Sequence, residues 1–382
     1  MSQSQPHSVT VRLVRDEDEW DALRPAWEAL YAASAYASAP LDFDWLRLWW
    51  RIYGPIYGKG GLQIVTAWRG TKLLGAIPLY EGRAGNSLFG ARQLRFLSTG
   101  EAEYEETCPD YLNVLCLRGE EQACLDAVWN GVERLSWDHL ELLEVPDDSP
   151  LVRARALHGR ARTFPRGTCP IADLTGGFEA YLGRLSSNGR QQARRLLREG
   201  ERAGATFEAV AAEQANGAFD DLVRLHQVRW AAEGKPGVFA APRFTAFHRE
   251  IVSEWLPRGR AVLARLSLGS DPVAVLYGFV TGAGFDFYQS GVRREGTGGL
   301  RSPGNLAHLL LMQSLADRGT TAYRFLRGAA PYKERLATRE DRLVVLQAWR
   351  TTPRAAVSRS ARVAARVTRR GLRLLARGGI HQ

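Results

Sequence analysis

The chain has 382 residues, 45% of them apolar, with 51 Lys and Arg against 41 Asp and Glu for a formal net charge of +10. That length suits two domains of roughly 150 to 200 residues, and the apolar-to-charged balance excludes wholesale disorder. The excess charge is local: from Arg342 onward there are ten arginines and no acidic residue, so 51 less ten leaves 41 against 41 elsewhere, and a neutral body argues against a DNA-binding surface.

After a Ser- and Gln-rich end, Val9 to Val14 alternates like an edge strand. Asp16-Glu17-Asp18-Glu19 then places negative charge at the start of a helix through Tyr31, where the helix dipole favours it. A second helix covers Asp44 to Tyr53, with Trp45, Leu48, Trp49 and Ile52 on one face by helical spacing. Strands follow at Leu62 to Arg69, Lys72 to Tyr80, Leu94 to Ser98 and Tyr111 to Leu117, then a helix at Glu120 to Leu135 and a strand at His139 to Leu143. Pro146 to Pro150 reads as a turn.

After Asp173 the order begins again. Phe178 to Arg202 is a long basic helical region, Phe207 to Val210 a short strand, and Asn216 to Ala232 and Arg243 to Trp255 are helices. Ala261 to Leu268 and Pro272 to Thr281 form a hairpin, Gly284 to Gly291 a further strand, Asn305 to Arg318 a helix and Ala322 to Leu326 a strand. Beyond Pro353, Arg359, Arg362, Arg366, Arg369, Arg370, Arg373 and Arg377 alternate with Ala, Val and Leu. This pattern fits a helix lying on an anionic membrane surface, a solvated terminal helix or a disordered tail.

Cys108, Cys116, Cys124 and Cys169 have no Cys-x-x-Cys spacing, so they read as reduced structural thiols rather than metal ligands. With no N-terminal signal pattern and no apolar run of about 18 residues, the expected place is the cytoplasm.

Four motifs stand in order in the second half: Tyr288-Gln289-Ser290-Gly291, Ser302-Pro303-Gly304, Phe325-Leu326-Arg327-Gly328 and Tyr332-Lys333. Upstream of them lie Leu225-His226-Gln227-Val228-Arg229-Trp230, Gly234-Lys235-Pro236-Gly237, Phe43-Asp44-Trp45-Leu46 with Trp49-Trp50, and Ala76-Ile77-Pro78-Leu79. Together they resemble the acyltransferases of the CelD/BcsL type, a branch of the GNAT superfamily related to the FemAB-like aminoacyltransferases. The resemblance runs nearly the full length and departs at Arg324, where that family usually has an acidic residue. It implies an α/β (α+β) fold of tandem GNAT-like domains, each a mixed, mostly antiparallel sheet flanked by helices. The expected division is 1–165, 166–350 and a basic tail at 351–382. The implied activity moves an acyl group, acetyl above all, from acyl-CoA to an amine on a sugar or envelope-polysaccharide precursor.

Such a transfer must hold the carrier, polarise the carbonyl and take a proton from the attacking ammonium, without a metal. For the carrier, Gly296 to Gly304 leads into a helix, and small residues, free N–H donors and Arg301 suit a pyrophosphate. The candidate carrier-binding residues are Ser290, Gly291, Arg301, Ser302, Gly304 and Asn305. Arg327 and Tyr332, with Arg229 and Trp230, are the candidate substrate-binding residues. Lys333 is one of four lysines beside 47 arginines, which points to a need for a compact or titratable amine. Tyr288 is the candidate acid for the leaving thiolate and His226 the candidate general base. The row Arg184, Arg190, Arg194, Arg195, Arg198 and Arg202 fits either a solvated helix face or a polyanion such as a tRNA acceptor stem. Two other readings use the same residues: a FemAB-like transferase fed by aminoacyl-tRNA, and a non-catalytic scaffold acting through its basic tail.

Overall fold

The computed structural model describes residues 8–83, 91–154, 161–328 and 330–357. The Arg-rich stretch from Arg359 to Arg377 lies outside them. In chain order the first half contains β1 (Val9–Val14), α1 (Glu17–Ala22), α2 (Arg24–Ala33), α3 (Phe43–Tyr57), β2 (Ile64–Arg69), β3 (Lys72–Ile77), β4 (Leu79–Arg83), β5 (Arg92–Phe96), β6 (Leu115–Cys116), α4 (Glu121–Arg134), β7 (His139–Pro146) and α5 (Pro150–Arg153). There follow β8 (Ala161–Asp173), α6 (Phe178–Arg184), α7 (Ser187–Arg202), β9 (Ala205–Ala209), α8 (Ala215–Ala232), α9 (Pro242–Trp255) and β10 (Ala261–Leu268). The chain continues through β11 (Asp271–Thr281), β12 (Gly284–Val292), α10 (Pro303–Asp317), β13 (Ala322–Arg324), α11 (Pro331–Leu336) and β14 (Arg339–Trp349).

The strands form a four-stranded sheet, β1-β2-β3-β6, and a ten-stranded sheet, β4-β5-β7-β14-β8-β13-β12-β11-β10-β9. Most pairs are antiparallel, while β5–β7 and β12–β13 are parallel. This is a mixed α/β fold with helices flanking the sheets. The long sheet runs through both halves without a break, because β14 pairs with β7 on one side and β8 on the other. A boundary at residue 165 therefore falls inside β8.

Two apolar cores lie on opposite faces of β10 to β13. One unites the first half with α8 and α9: Trp45 meets Phe247 edge-on at 4.8 Å and Phe279 at 5.3 Å. The other packs α6, α7 and α10 on the far face, with Phe287, Tyr323 and Phe325 at its centre. The helices start where the chain supplies caps. Asp16 accepts from Glu19 N at 2.8 Å, Asp42 from Asp44 N at 2.8 Å and Ser186 from Gly189 N at 3.1 Å, each satisfying an orphan first-turn donor. That last cap divides the single helix expected over Phe178–Arg202 into α6 and α7.

Two further expectations shift. Of the strand expected from Tyr111 only Leu115–Cys116 is a strand, with Leu117 adding a single bridge to Ser34, since Tyr111 has φ +66° and Asn113 turns its side chain back onto Val114 N. The long pair β8–β14 is not legible in the sequence, because Pro165, Gly167 and Pro170 break the strand pattern. The structure takes up Pro165 at a register shift between Leu343 and Val344.

Candidate functional site

β12 and β13 hold together over only three pairs, Gly284–Ala322, Phe285–Tyr323 and Asp286–Arg324. Beyond them the arms part. β12 runs on to Val292, whereas the other arm leaves the sheet at Phe325 and turns at Leu326, φ +56°. β12 also changes register there: Tyr277 pairs with Gln289 and Gly278 with Phe287, leaving Tyr288 as a bulged residue. The result is a V whose β12 arm has no strand partner on the β13 side from Phe287 onward.

Beside this arm, α10 begins at Pro303. The Ser302 side chain makes no capping hydrogen bond, so the amides of Gly304 and Asn305 are left as donors at the positive end of a 15-residue helix. A Cβ on Gly304 would meet Val292 at 3.2 Å, which shows how closely helix and strand approach.

A cleft of about 360 Å³ opens at this point. Ser290, Arg301, Ser302, Gly304, Asn305, Arg229 and Tyr332 line it, together with Val292, Arg293, Arg294, Pro303, His308 and Arg335. Five guanidinium groups thus ring one cavity. Glu233 pairs with Arg294 and Arg229, Glu199 with Arg301, and Asp271 with Arg293, so five cations face three carboxylates and the cleft is left with excess positive charge. Such a place can hold an anion through backbone amides, helix dipole and Arg together.

His308 forms part of the wall. Its ring stacks on Tyr332 at 5.3 Å, and its Nδ1 shares a 2.7 Å hydrogen bond with the Tyr323 hydroxyl. Burial, aided by the charge of Lys333, lowers its pKa to about 3, so the imidazole is neutral. Sequence reasoning passed over His308, although it lies one helical turn after Asn305 and so shares its face.

The other candidate residues lie elsewhere. Gly291 faces α8: a Cβ there would come within 2.6 Å of Leu222 O and 2.7 Å of Leu225 Cβ. His226 is buried, with both ring nitrogens engaged. Trp230 Nε1 donates to its Nε2 at 2.8 Å, which leaves Nδ1 to donate to Gln227 Oε1 at 3.0 Å. Burial depresses its pKa to about 4, and in this arrangement no ring lone pair is free to accept a substrate proton. Through Gln227, which donates to Pro236 O at 2.7 Å, the pair holds the loop after α8.

Tyr288 points away from the cleft into the aromatic core shared by the two halves. Its hydroxyl donates to Thr107 O at 2.5 Å and accepts from His248 Nε2 at 2.9 Å, and burial drives its pKa well up. Arg327 and Lys333 sit at the seam between the halves. Lys333 Nζ donates to Leu326 O and Arg327 O, both at 3.2 Å, and burial lowers its pKa. Arg327 pairs with Glu144 at 3.0 Å. Arg324 finds its carboxylate directly across the strand pair, on Asp286.

Among the described residues no group of His, Cys, Asp and Glu side chains is gathered to hold a metal ion, and no helix is long and apolar enough to cross a membrane. Among curated proteins, none matches the chain in sequence. In fold it is similar to FemX, with a TM-score of 0.58 at 9% identity over 87% of this chain and 96% of that one. A conserved protein of unknown function from Bacteroides thetaiotaomicron gives 0.55 at 11% identity, over 89% of this chain and 100% of that one. L-PGS from Bacillus licheniformis gives 0.53 at 12%, over 90% and 96%. At such identities the likeness is one of fold alone. A family model does match in sequence, from the start of α7 to α11, and the second half of the chain thus carries an acetyltransferase (GNAT) domain at residues 187–334.

Proposed function

We propose that the protein transfers an acyl group from acyl-coenzyme A to an amine, with the carrier's phosphates seated in the Arg-lined cleft at the N-terminus of α10. The V between β12 and β13 carries this reading. It leaves an unpaired strand edge for the carrier's amide-bearing arm, running from the anion-binding helix end toward the bulge at Tyr288. Backbone donors near the bulge could stabilise the oxyanion as the carbonyl carbon turns tetrahedral. Among the described residues, the start of α4 in the first half is no such seat, because Glu120 and Glu121 put negative charge there and Glu120 is paired with Arg69.

Calorimetry with acetyl-coenzyme A tests the assignment. Saturable binding is expected, with Arg301→Ala and Arg335→Ala each weakening it about tenfold or more, the scale of one charge-assisted hydrogen bond. If neither change costs more than about 0.5 kcal/mol, the ordinary effect of an unrelated surface substitution, the seat is elsewhere.

A second reading has its own observation. Along α7, Arg190, Arg194, Arg195, Arg198 and Arg202 recur, and Arg195 and Arg301 share Glu199, so the positive cleft continues onto an exposed basic helix. That surface would suit an aminoacyl-tRNA donor, in line with the fold shared with FemX. Filter binding of tRNA with a steep loss of affinity between low and physiological salt would favour it.

A further inference from the structure

The first half sends one segment into the V. Thr107 O accepts from the Tyr288 hydroxyl on the β12 arm at 2.5 Å, and Asp110 Oδ2 accepts from Arg327 N on the other arm at 2.5 Å. Cys108 lies between these two anchors with φ +45°. Among the described residues the other non-glycine positions of positive φ are Ser98, Tyr111, Glu144 and Leu326. All belong to one neighbourhood. Thr107 Oγ1 lies 3.2 Å from Ser98 O, Leu112 N donates to Glu144 O at 3.0 Å, and Lys333 Nζ to Leu326 O. Each such residue costs on the order of 1–3 kcal/mol, so the surrounding packing must hold the segment in place.

The segment is also built to face something. Cys108 is exposed to solvent, while Cys116, Cys124 and Cys169 are buried. Around its thiol stand Glu106, Asp110, Arg327 and Glu144, with Tyr288 and Lys333 close enough to interact electrostatically. Asp110 is 5% exposed; its Oδ1 has no hydrogen-bond partner, and its charge is met by Arg327 Nε at 3.6 Å. A buried carboxylate oxygen that is ion-paired but not hydrogen-bonded keeps room for a further N–H donor.

We propose that residues 106–110 close the reaction chamber: the thioester end of the carrier arrives at Cys108, and the carboxylates of Glu106 and Asp110 select a cationic amine as acceptor. This rests on the acyl-coenzyme A reading above. From Ser290 or Val292 in the cleft to Tyr288 at the bulge is two to four residues, roughly 7–13 Å along a strand, a span the carrier's arm can bridge. The acceptor ammonium loses one proton to a carboxylate at this wall, and its nitrogen then bonds the thioester carbon. As the carbon–sulfur bond breaks, the second nitrogen proton passes to the departing sulfur. The first half is thereby part of the active site rather than a scaffold beside it.

Bromoacetyl-coenzyme A tests this on the full chain without knowledge of the acceptor. If the acyl group lies at Cys108, the thiol sulfur displaces bromide from the CH2 carbon next to the carbonyl, forms a thioether to that CH2 carbon and releases its proton to solvent. Labelling at pH 8, located by peptide mass spectrometry, should saturate and be blocked by acetyl-coenzyme A. It should run about tenfold or more faster than labelling by bromoacetamide at equal concentration. Cys108→Ser should abolish it, with the three buried cysteines as internal controls. In Glu106→Gln the pH midpoint of labelling should move down, because a negative neighbour of the thiol is gone. Labelling no faster than with bromoacetamide, while calorimetry still shows acetyl-coenzyme A binding, overturns the chamber and leaves the donor seat standing. An unmoved midpoint in Glu106→Gln removes that carboxylate from the wall. Absence of acetyl-coenzyme A binding removes both readings together.

Discussion

Arg327 reaches Glu144 at 3.0 Å and thereby ties the turn after β13 to β7, a strand of the other half. Glu144 is buried, and Arg166, placed at the register shift of β8, approaches it from the other side at 2.7 Å. One fully enclosed carboxylate is thus clamped by two guanidinium groups, and the β13 arm of the V is tied down by the clamp.

Removing one clamp member should cost less than removing both by more than simple addition allows. Arg327→Ala leaves Glu144 paired with Arg166, so a loss of about 2 kcal/mol is expected. The double change with Arg166→Ala strands a buried charge and should exceed the sum of the single losses by about 1 kcal/mol or more. Urea denaturation of the four members of the cycle reads this directly, and strict additivity would contradict the clamp.

Gly291 is where α8 crosses the sheet. Gly291→Ala should lower stability by roughly 1–3 kcal/mol, because the methyl group would press on Leu222 O and Leu225 Cβ, and neither is the free end of a flexible side chain. Gly234→Ala, with open space around its Cβ position, has only its φ of +67° to answer for and should cost about 1 kcal/mol. Comparable thermal shifts for the two variants would argue against close α8 packing.

Glu101 carries a pH dependence of known sign. Its Oε1 accepts from Trp49 Nε1 and from Thr107 Oγ1, whereas its buried Oε2 has no hydrogen-bond partner. Burial raises its pKa to about 7. Between pH 4.5 and 7 the folded protein keeps a proton that the unfolded chain releases, so this group's contribution to stability falls as pH rises through that window. Glu101→Gln places an amide where the protonated acid sits and does not titrate. The variant should gain on the wild type by up to about 3 kcal/mol between pH 4.5 and 7. A stability gap that is the same at both ends would show that the carboxyl ionises freely.

Trp230→Phe should release the loop after α8. The change leaves His226 Nε2 as a buried acceptor without its donor, at a cost of about 1–2 kcal/mol. It also replaces the indole over which Lys235 stands at 5.2 Å by a phenyl ring, a weaker cation–π partner. Hydrogen exchange should quicken at Gly234 to Gly237 first, and uniform quickening over the whole chain would argue against this local role.

Much of the second half was legible in the sequence because its signals are local. The hairpin β10–β11, the strand β12 and the helix α10 announce themselves through apolar runs, Gly turns and Ser-Pro-Gly, and they need no distant partner to be read. The strands β8 and β14 do need one. Pro165 and Pro170 read as breakers until β14, some 175 residues later, offers a register that absorbs them. The same holds for side chains. Ser290, Arg301, Gly304 and Asn305 share a cleft because strand and helix are neighbours in sequence and space. Tyr288 follows the alternation only up to the bulge, and the motif that made it the candidate acid does not report which core it enters.

What the sequence determined by itself is the alternation of helix and strand and the positive helix start at α10, since these depend on backbone donors, small residues and hydrophobic spacing within a few turns of chain. Only the tertiary structure decided that His226 and Lys333 spend their polar atoms on protein partners, that His308 lines the cleft, and that residues 106–110 bridge the V. Burial and long-range pairing fix which lone pairs remain free for chemistry, and those are set by residues far apart in the chain, as with Asp110 and Arg327, 217 positions apart.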